Sequence, residues 1–375
     1  DFEGSNFSVL LDTLAYNTYI TAFNSNMVVN ESFLDSATLR ENVVSLARNI
    51  GYIPRSRTAA KAQVSFKLNI GTTEPNSSSV ELKRGIVCVG SVNDSSYVFS
   101  ISENIAKQVV QEGSDYVVNF DNLTINQGTF LTKQFTFNNS LDQKFILDNS
   151  FIDTSTIHVY VKKENETGLG YEYYISDDIT DIDSTSRVYF LQEVQDEKYE
   201  IRFGDGLLGK KLGDGVDEDG TIITVDYIVS DGVDGNGASS FSYSGNLINI
   251  LTGNSIVLDS TPVVTTITKS EGGSNIEPID SIKYYSPKIY SSQNRAVTPR
   301  DYEAIIKRIY PETESVSVVG GEELNPPEFG TVQISIKPKF ATYISDFTKS
   351  RILSQLKKYS VAGINQKLID LKILY

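Results

Sequence analysis

The sequence predicts an α+β protein with an N-terminal helical segment, a mainly antiparallel β middle and a small, truncated C-terminal α+β domain of ferredoxin-like type. Three observations predict this fold. Apolar residues recur with helical spacing over about the first 50 residues, alternate with polar ones from Ala62 to about Ile267, and change pattern again after Pro278. We therefore assign residues 1–60 to a helical segment, 61–275 to a β-rich region and 276–375 to the C-terminal domain.

The first predicted helix runs from Asn6 to about Asn30, without Pro or internal Gly. Its apolar side chains occupy more than the single stripe that a helix lying on its own domain needs. Two interpretations stay open: neighbours from other subunits bury the helix, or it is the central helix of a bundle within the chain. Under the first, the partner-binding residues are Phe7, Leu10, Leu11, Leu14, Tyr19 and Phe23.

A second helix is expected to follow directly. Thr38 and Glu41 have the spacing of a capping box, and Gly51 is a suitable C-terminal stop. From Ala62 onward, short β-branched and aromatic runs alternate with Gly, Asn, Asp and Ser, which predicts antiparallel strands in more than one sheet. Residues 93–150 have looser patterning and are a possible inserted module.

The C-terminal domain is predicted to begin with either a short helix or an extended arm over residues 279–290. Thr298 then has the position of an N-cap, Pro299 of the first helical residue, and Pro311 of a stop. Two strands, a helix from about Ser345 to Tyr359 and a final strand give the order α-β-β-α-β. Because the chain begins without Met and ends in an apparent strand, we expect a segment of a longer protein.

Charge and composition narrow the classes of function. The formal charge of −15 argues against nucleic acid as a partner, since phosphate binding requires clustered Lys and Arg. The charge is uneven, at −2 for residues 1–60, −18 for 61–280 and +5 for 281–375. This charge asymmetry is expected if different parts of the chain contact different partners, and equally if both parts are ordinary solvated surface. No apolar run approaches the length of a membrane span, and a membrane partner is not expected.

Residues Gly204 to Gly209 read GDGLLG and match the dinucleotide-binding pattern literally. That motif requires a helix to begin at the glycines, because the helix N-terminus holds the pyrophosphate. Here, further glycines and acidic residues lead into another strand. The segment is therefore predicted to be a turn between strands rather than a phosphate cradle.

The sequence contains few residues of the types that other catalytic or metal-binding sites require. A nucleophilic triad or a zinc site would depend on one histidine, His158, and one cysteine, Cys88. In an EF-hand alignment that places Gly220 at the sixth loop position, Gly215 occupies the first ligand position. Glycine has no side chain to bind calcium, so an EF-hand is not expected. A different calcium-binding turn in DGVDEDG or DGVDGNG stays an alternative to plain turn chemistry. The 48 acidic residues leave room for a glycosidase pair, although the absence of Trp disfavours a sugar cleft. We expect no enzyme and no cofactor.

Two segments, residues 199–238 and 271–321, resemble the baseplate J-like family of contractile phage tails and related injection machines. The first matches the family's FGDG turn and its G-x-x-GN close. The second matches the family's glycine pair and following Glu, here Gly272, Gly273 and Glu277, and its QNRAVT-x-x-DYE stretch. Residues 1–60 resemble the wedge proteins of T-even-like contractile phages. The matching motif residues are Gly204, Asp205, Gly206, Gly235, Asn236, Gln293, Asn294, Arg295, Thr298, Asp301 and Tyr302.

The resemblance implies a structural subunit of a baseplate wedge. In that family, two copies clasp each other and a larger wedge protein through a helical core bundle, and six wedges close an inner ring around the hub. A small wedge protein of lysozyme-like fold sits on the ring, which rearranges when the sheath contracts. The resemblance further implies a virion protein assembled in the host cytoplasm. It implies that Thr298 caps a helix, that Tyr302 packs on a sheet and that Arg295 pairs with a carboxylate.

Two other classes of protein remain as alternatives. A receptor-binding or carbohydrate-active tail protein would hold a polysaccharide in the acidic β middle, and would show repeat-like strands with aromatic platforms. A secreted, calcium-stabilised adhesin would carry a signal peptide. The sequence given has neither feature.

Overall fold

A computed structural model describes residues 6–72, 78–93, 95–138, 143–164, 166–175, 182–213, 220–293, 295–339 and 343–370. The chain divides into two compact units. The helical unit contains Asp1–Pro54 and Glu277–Arg295, and the larger unit contains Arg55–Ile276 and Ala296–Tyr375. Residues 277–295, which the sequence pattern placed in the C-terminal domain, thus fold with the N-terminal helices.

The helical unit has three α-helices in its described residues: α1 (Asn6–Glu31), α2 (Arg40–Asn49) and α3 (Ile279–Ser292). The segment left open between a helix and an arm is therefore a helix, and it contains Pro287. A small core joins α2 and α3 across more than 200 residues of sequence. Its buried members are Ala37, Val43, Val44, Ala47, Tyr52, Ile282 and Ile289.

The start of α2 corrects the predicted capping box. The N-cap is Leu39, without a side-chain cap. The hydroxyl of Thr38 donates to Glu31 Oε1 at 2.7 Å, and the Thr38 N–H donates to the same oxygen at 2.8 Å. Glu31 Oε2 accepts from Asn42 Nδ2 at 2.8 Å. The last residue of α1 therefore holds the first turn of α2, a role that a local capping pattern does not reveal.

The end of α2 follows the predicted stop. Gly51 has φ +81°, its N–H donates to the Arg48 carbonyl at 2.9 Å, and the Tyr52 N–H donates to the Ala47 carbonyl at 3.0 Å. This pair of hydrogen bonds is a Schellman motif, which requires a left-handed residue and therefore favours glycine.

The hydrogen bonds to Glu31 predict a pH dependence. They lower its pKa from 4.5 to about 2, with Thr38 as the largest cause. A carboxyl whose pKa is lower in the folded state stabilises that state above its unfolded pKa, and the stabilisation is lost as pH falls towards the folded value. Between about pH 4.5 and about pH 2, the helical unit should lose stability more steeply in the wild type than in Glu31→Gln. Thermal unfolding monitored at 222 nm measures this difference, and equal slopes would contradict it.

The larger unit contains all the described strands, and those up to residue 276 form two seven-stranded sheets and one three-stranded sheet. The first sheet has the order β15-β3-β4-β7-β1-β17, with β6 also on β7; the second has the order β8-β14-β10-β11-β12-β13-β9; the third has the order β16-β2-β5. The strands are β1 (Lys61–Gly71), β2 (Ser79–Leu82), β3 (Gly85–Val92), β4 (Ser95–Ile101), β5 (Ile105–Gln108), β6 (Val110–Glu112), β7 (Asp115–Gln127), β8 (Thr129–Thr136), β9 (Phe145–Leu147), β10 (Ile152–Lys162), β11 (Tyr171–Ile175), β12 (Val188–Glu193), β13 (Tyr199–Phe203), β14 (Ile222–Val229), β15 (Ser240–Tyr243), β16 (Leu247–Asn249) and β17 (Val264–Glu271).

The pairing in this region is mainly antiparallel, as predicted, with β11 and β12 a parallel pair. Each large sheet has its own apolar core. Phe66, Phe99 and Phe120 are buried in the core of the first sheet. The core of the second sheet includes Tyr189 and Ile223. The interior of this β region therefore consists of strand residues that face inward.

The strands within residues 93–150 are divided among all three sheets of this region, which differs from the inserted module suggested by their looser pattern. β4, β6 and β7 belong to the first sheet, β8 and β9 to the second, and β5 to the third. The loose pattern has a local cause in β7, where Asn122 has φ +53° and the register with β1 shifts between Val64 and Phe66. An irregularity of this kind breaks the two-residue alternation from which strands are predicted.

The C-terminal part of the larger unit follows the predicted order α-β-β-α-β. Its elements are α4 (Pro299–Ile309), β18 (Thr313–Gly320), β19 (Thr331–Pro338), α5 (Asp346–Leu356) and β20 (Asn365–Ile369). β18 and β19 are antiparallel, whereas β20 lies directly beside β19 and parallel to it. A full ferredoxin-like sheet has a further strand between these two. The sheet here is therefore a hairpin continued by a β-α-β crossover.

The helix α4 begins as its sequence predicts. Thr298 is the N-cap, its hydroxyl accepts from the Asp301 N–H at 3.3 Å, and Asp301 Oδ2 accepts from the Thr298 N–H at 2.8 Å. Pro299 occupies the first turn. Tyr302 is buried in one cluster with Ile334 and Ile336 of β19, so the helix packs on the small sheet.

Candidate assembly site

The helix α1 is the largest apolar surface that the helical unit leaves open. None of its 26 residues is buried. The exposed fractions of Phe7, Leu10 and Tyr19 are 59%, 55% and 66%. A central helix of a bundle within the chain would bury these side chains, so the described helical unit does not supply that bundle.

The apolar residues of α1 lie on two opposite faces. At about 100° per residue, the helical positions of Phe7, Leu10, Leu11 and Leu14 fall on one side, which we name face A. Tyr16, Tyr19, Phe23 and Met27 fall about 180° away, on face B. The predicted partner-binding residues thus divide into four on face A and two on face B. A helix with this pattern has room for two neighbours.

The polar residues of α1 are equally unusual for an exposed helix. Asp12 and the terminal Glu31 are its charged residues, whereas exposed helix surfaces are normally rich in Lys and Glu. Four of its hydroxyl side chains donate to the carbonyl four residues earlier, at 2.8 to 2.9 Å. These hydroxyls therefore already have hydrogen-bond acceptors within the helix. The surface of α1 is therefore suited to burial in protein.

The GDGLLG segment forms a tight turn after β13. Asp205 Oδ1 accepts from the N–H groups of Leu207 and Leu208 at 2.9 and 2.8 Å, and these hydrogen bonds lower the pKa of Asp205. The Gly206 N–H donates to the Gly209 carbonyl at 3.1 Å. A Cβ at Gly204 would overlap the backbone of Gly209. The turn uses its own N–H groups, which a phosphate cradle would leave free.

The two motif-bearing segments meet at Asn236 and Gly273. The Asn236 side chain donates from Nδ2 to the Gly273 carbonyl at 2.9 Å and accepts from the Gly273 N–H at 2.8 Å. The close packing leaves no room for a side chain at Gly273, because a Cβ there would overlap the carbonyl oxygen of Gly232. At Gly235, a Cβ would likewise overlap the side chain of Gln127. These glycines therefore allow the close packing in which the Asn236 side chain binds the backbone of Gly273.

Residues 270–274, SEGGS, connect this contact to the rest of the larger unit, and we name them the junction strip. Ser270 Oγ donates to the Gly235 carbonyl and accepts from the Ala238 N–H, both at 2.7 Å. The backbone of Ser274 pairs with that of Thr58. The strip therefore joins the 231–238 loop to the segment that enters β1.

The junction strip also holds the helix α5. The carboxylate of Glu271 accepts from the hydroxyls of Ser345 and Thr348 at the start of that helix. Gly272 has φ +81°, and its open side is filled by the guanidinium of Arg351. The family's glycine pair thus lies where the first sheet, the 231–238 loop and the C-terminal helix converge, and its role is to set their positions.

A third motif residue, Glu277, organises the helical unit. Its Oε1 accepts from the Tyr52 hydroxyl at 2.6 Å and from Ser281 Oγ at 2.8 Å. Arg40 of α2 donates to its backbone carbonyl. Glu277 therefore ties the start and the end of α2 to the start of α3.

The QNR part of the second motif ends α3. Gln293 is left-handed, with φ +50°, and caps the helix. Arg295 Nη2 donates to Gln293 Oε1 at 2.6 Å, an amide rather than the carboxylate that the resemblance led us to expect. Asn294 lies outside the described residues. Gln293 therefore ends the helix, and its side chain contacts that of Arg295.

The candidate chemical groups are placed as follows. His158 lies between Glu172, 3.1 Å from Nδ1, and Glu103, 3.7 Å from Nε2. Cys88 is buried, and burial raises its pKa to about 12. Within the described ranges, no three His, Cys, Asp or Glu side chains are grouped to hold a metal ion, and residues 214–219 of the acidic DGVDEDG turn lie outside those ranges. No described helix is both long and apolar enough to cross a membrane.

Comparison with protein families gives three matches along the chain. Residues 1–52 match the helical domain of the baseplate wedge protein gp6-like family. Residues 129–229 match the third domain of the bacteriophage baseplate wedge protein gp6, and residues 298–369 match C-terminal domain I of the baseplate structural protein gp6. All three families describe parts of phage baseplate wedge proteins.

A curated relative agrees with these matches. The chain is 28% identical over 389 residues to the baseplate wedge protein gp6 of Enterobacteria phage T4. The alignment covers all of this chain and 56% of that protein, so the chain spans about half the length of the relative. The resemblance to phage wedge proteins, stated from the sequence motifs, is confirmed.

Two solved assemblies also match, with low TM-scores that support no further conclusion. One is the baseplate of the anti-feeding prophage, with 13% identity, 98% of this chain and 71% of that chain covered, and a TM-score of 0.28. The other is the TssK-TssF-TssG baseplate subcomplex of the type VI secretion system, with 7% identity, 96% of each chain covered and a TM-score of 0.34.

Proposed function

The chain belongs to the gp6-like baseplate wedge protein family, and on that premise we propose that it is a non-catalytic structural subunit that assembles through α1 into the inner ring of the baseplate. The observation that carries the proposal is a helix with two exposed apolar faces and only two charged residues, Asp12 and Glu31. Burying one leucine or aromatic side chain contributes about 1.5–3 kcal/mol, so four on one face supply a substantial part of an interface.

The two faces suit two different neighbours. Face A carries Leu10, Leu11 and Leu14, which are typical of helix-to-helix packing, and we assign it to a second copy of this chain. Face B carries Tyr16, Tyr19 and Phe23, aromatic residues of the kind enriched in protein interfaces, and we assign it to a larger helical wedge protein. The small wedge protein of lysozyme-like fold and the neighbouring wedges then contact the ring elsewhere.

The same role includes the rearrangement that accompanies sheath contraction. The division of the chain into a helical unit and a larger unit supports it, because a core bundle and a ring contact can then be carried by different bodies. The chain would be assembled in the host cytoplasm and would end in the tail baseplate of the virion. Neither nucleic acid nor a membrane is among the proposed partners.

Substitutions on the two faces test the assignment. Leu10→Asp with Leu14→Asp should abolish self-association, and Tyr19→Asp with Phe23→Asp should abolish binding of the larger helical wedge protein. Placing two charges in a packed apolar interface weakens it by about 3 kcal/mol or more, roughly a hundredfold. Light scattering after size exclusion measures self-association, and co-purification of the co-expressed wedge protein measures the second contact.

The matched control is Asn17→Asp with Asn24→Asp, which adds the same two charges on the side of α1 between the faces. It should assemble as the wild type does. A wild-type chain that stays monomeric and ignores its wedge partner would refute the proposal. Loss of β structure in the face variants would instead place α1 in a core of its own chain.

A further inference from the structure

A cavity of about 660 Å³ opens in the larger unit beside the junction strip. Three parts of the chain line it: the β3–β4 hairpin, the 231–238 loop with the end of β17, and the segment between α4 and β18 together with the end of β19. Its volume is in the range of sites that receive small molecules or long side chains. None of its lining residues belongs to α1.

Glu312 lines this cavity and is only 7% exposed. Its backbone carbonyl accepts from the Lys339 N–H at 2.8 Å. Its Oε2 is buried and has no hydrogen-bond partner within the described part of the chain. Buried carboxylate oxygens are normally paired, because the desolvation of an unpaired one is costly.

The surrounding charges do not fully offset the desolvation of the Glu312 carboxylate. Burial raises the pKa of Glu312, and the nearby charges of Lys339 and Arg55 lower it by less. Glu271 and Asp234 also line the cavity, and Lys269 is the cation among its lining residues, on an exposed position. The lining therefore carries three carboxylates and one cation, the guanidinium of Arg351 lies against Gly272, and Oε2 of the buried Glu312 lacks a donor within the described residues.

The walls are suited to the stem of a long side chain. Tyr97, Tyr310, Val233 and Pro338 contribute apolar surface to the lining. An arginine side chain combines an apolar stem with a planar head of five N–H donors, which hydrogen-bonds to carboxylates and stacks on aromatic rings. A metal ion fits less well, because no three ligand side chains are grouped within the described residues.

We propose that this cavity is a socket for an arginine side chain of a neighbouring protein, whose guanidinium donates to the buried carboxylate of Glu312. The source of the arginine rests on the proposed role in an assembly. The site itself does not, because it can be tested with a peptide and without any other subunit. An α1 face variant that no longer assembles but still binds the peptide would separate the two proposals.

The test uses the chain itself and two blocked tripeptides, acetyl-Gly-Arg-Gly-amide and its citrulline analogue, which has the same shape without the charge. Saturation-transfer NMR and calorimetric titration measure binding. The wild type should bind the arginine peptide about tenfold more tightly than the citrulline peptide, since a charged head then meets a buried carboxylate. Glu312→Gln should lose this preference.

Glu314→Gln is the matched control, because Glu314 lies two residues further on, is exposed and pairs with Lys337 at 2.8 Å. It should bind as the wild type does. Circular dichroism establishes that each variant is folded, and Glu312→Asp, which keeps the charge on a shorter side chain, should retain part of the preference. Equal binding of both peptides by the wild type, unchanged binding by Glu312→Gln, or no binding at all would overturn the proposal.

Discussion

Replacing Gly273 by alanine is expected to lower the free energy of unfolding of the larger unit by about 3 kcal/mol, because an added methyl group has no space there. A Cβ at this position would overlap the carbonyl oxygen of Gly232 and lie 3.0 Å from both Ala60 Cβ and Asn236 Oδ1. To make room, the backbone must shift, and the two hydrogen bonds between the Asn236 side chain and the Gly273 backbone must lengthen. The substitution thus strains the point where the two motif segments meet.

Urea unfolding followed by far-UV circular dichroism measures this effect, with Gly253→Ala as the control. Gly253 also lies outside the regular strands, but nothing is within 4 Å of a Cβ there, and its φ of +68° is the only source of strain. The control should cost about 1 kcal/mol. If the free energy of unfolding fell equally in the two variants, the residues around Gly273 would be able to move aside for a methyl group. The contact would then not require glycine.

Replacing Arg84 by methionine is expected to cost about 4 kcal/mol near neutral pH, because it leaves a buried carboxylate without its cation. Asp226 on β14 is 0% exposed and forms an ion pair with Arg84, which precedes β3. Thr132 Oγ1 donates to its other oxygen at 2.5 Å. The pair links a loop of the first sheet to the interior of the second, so its loss affects the junction between them.

The pH dependence identifies the cause. Burial already raises the pKa of Asp226, and removing Arg84 raises it further. A group with a raised carboxyl pKa binds its proton more strongly when folded, so the Arg84→Met variant should regain stability as pH falls from about 7 towards about 4. In Arg84→Met combined with Asp226→Asn this recovery should be absent, and the loss should be smaller than in Arg84→Met alone. Strict additivity, or a loss independent of pH, would contradict the buried-charge explanation.

An exposed ion pair serves as the reference for this experiment. Lys133 and Asp148 are 2.8 Å apart, but both side chains are open to solvent. Solvent screening and the loss of side-chain entropy reduce the contribution of such exposed pairs to stability nearly to zero. Lys133→Met should therefore leave the unfolding curve almost unchanged. The contrast between the two pairs separates the effect of burial from the effect of removing a positive charge.

Helix ends show how far local patterns reach. The stop at Gly51 and the cap at Thr298 were predictable, because each depends on residues within four positions of the helix end. The start of α2 was not predictable by the same reasoning. There, Glu31 from the preceding helix takes the Thr38 hydroxyl that a local box would use. The signal for Glu31 is only a carboxylate seven residues earlier, which many sequences have without this contact.

The motif residues show the same division. GDGLLG was predicted to be a turn because no helical pattern follows it, and its Asp205 hydrogen bonds are local. That Asn236 binds the backbone of Gly273, or that Glu277 receives Tyr52, depends on segments 37 and 225 residues apart in the chain. The sequence marked these residues as belonging to one family pattern, but it offered no means of pairing them.

By itself, the sequence determined the α+β class, the periods of the helices and strands, the turn after β13 and the likeness to phage wedge proteins. These properties follow from spacing and from side-chain chemistry between near neighbours. Only the tertiary structure decided that residues 277–295 join the N-terminal helices, that residues 93–150 are divided among three sheets, and that Glu312 is buried beside a cavity. Such outcomes depend on which distant surfaces meet, because burial and pairing are properties of the packed chain rather than of any single stretch of it.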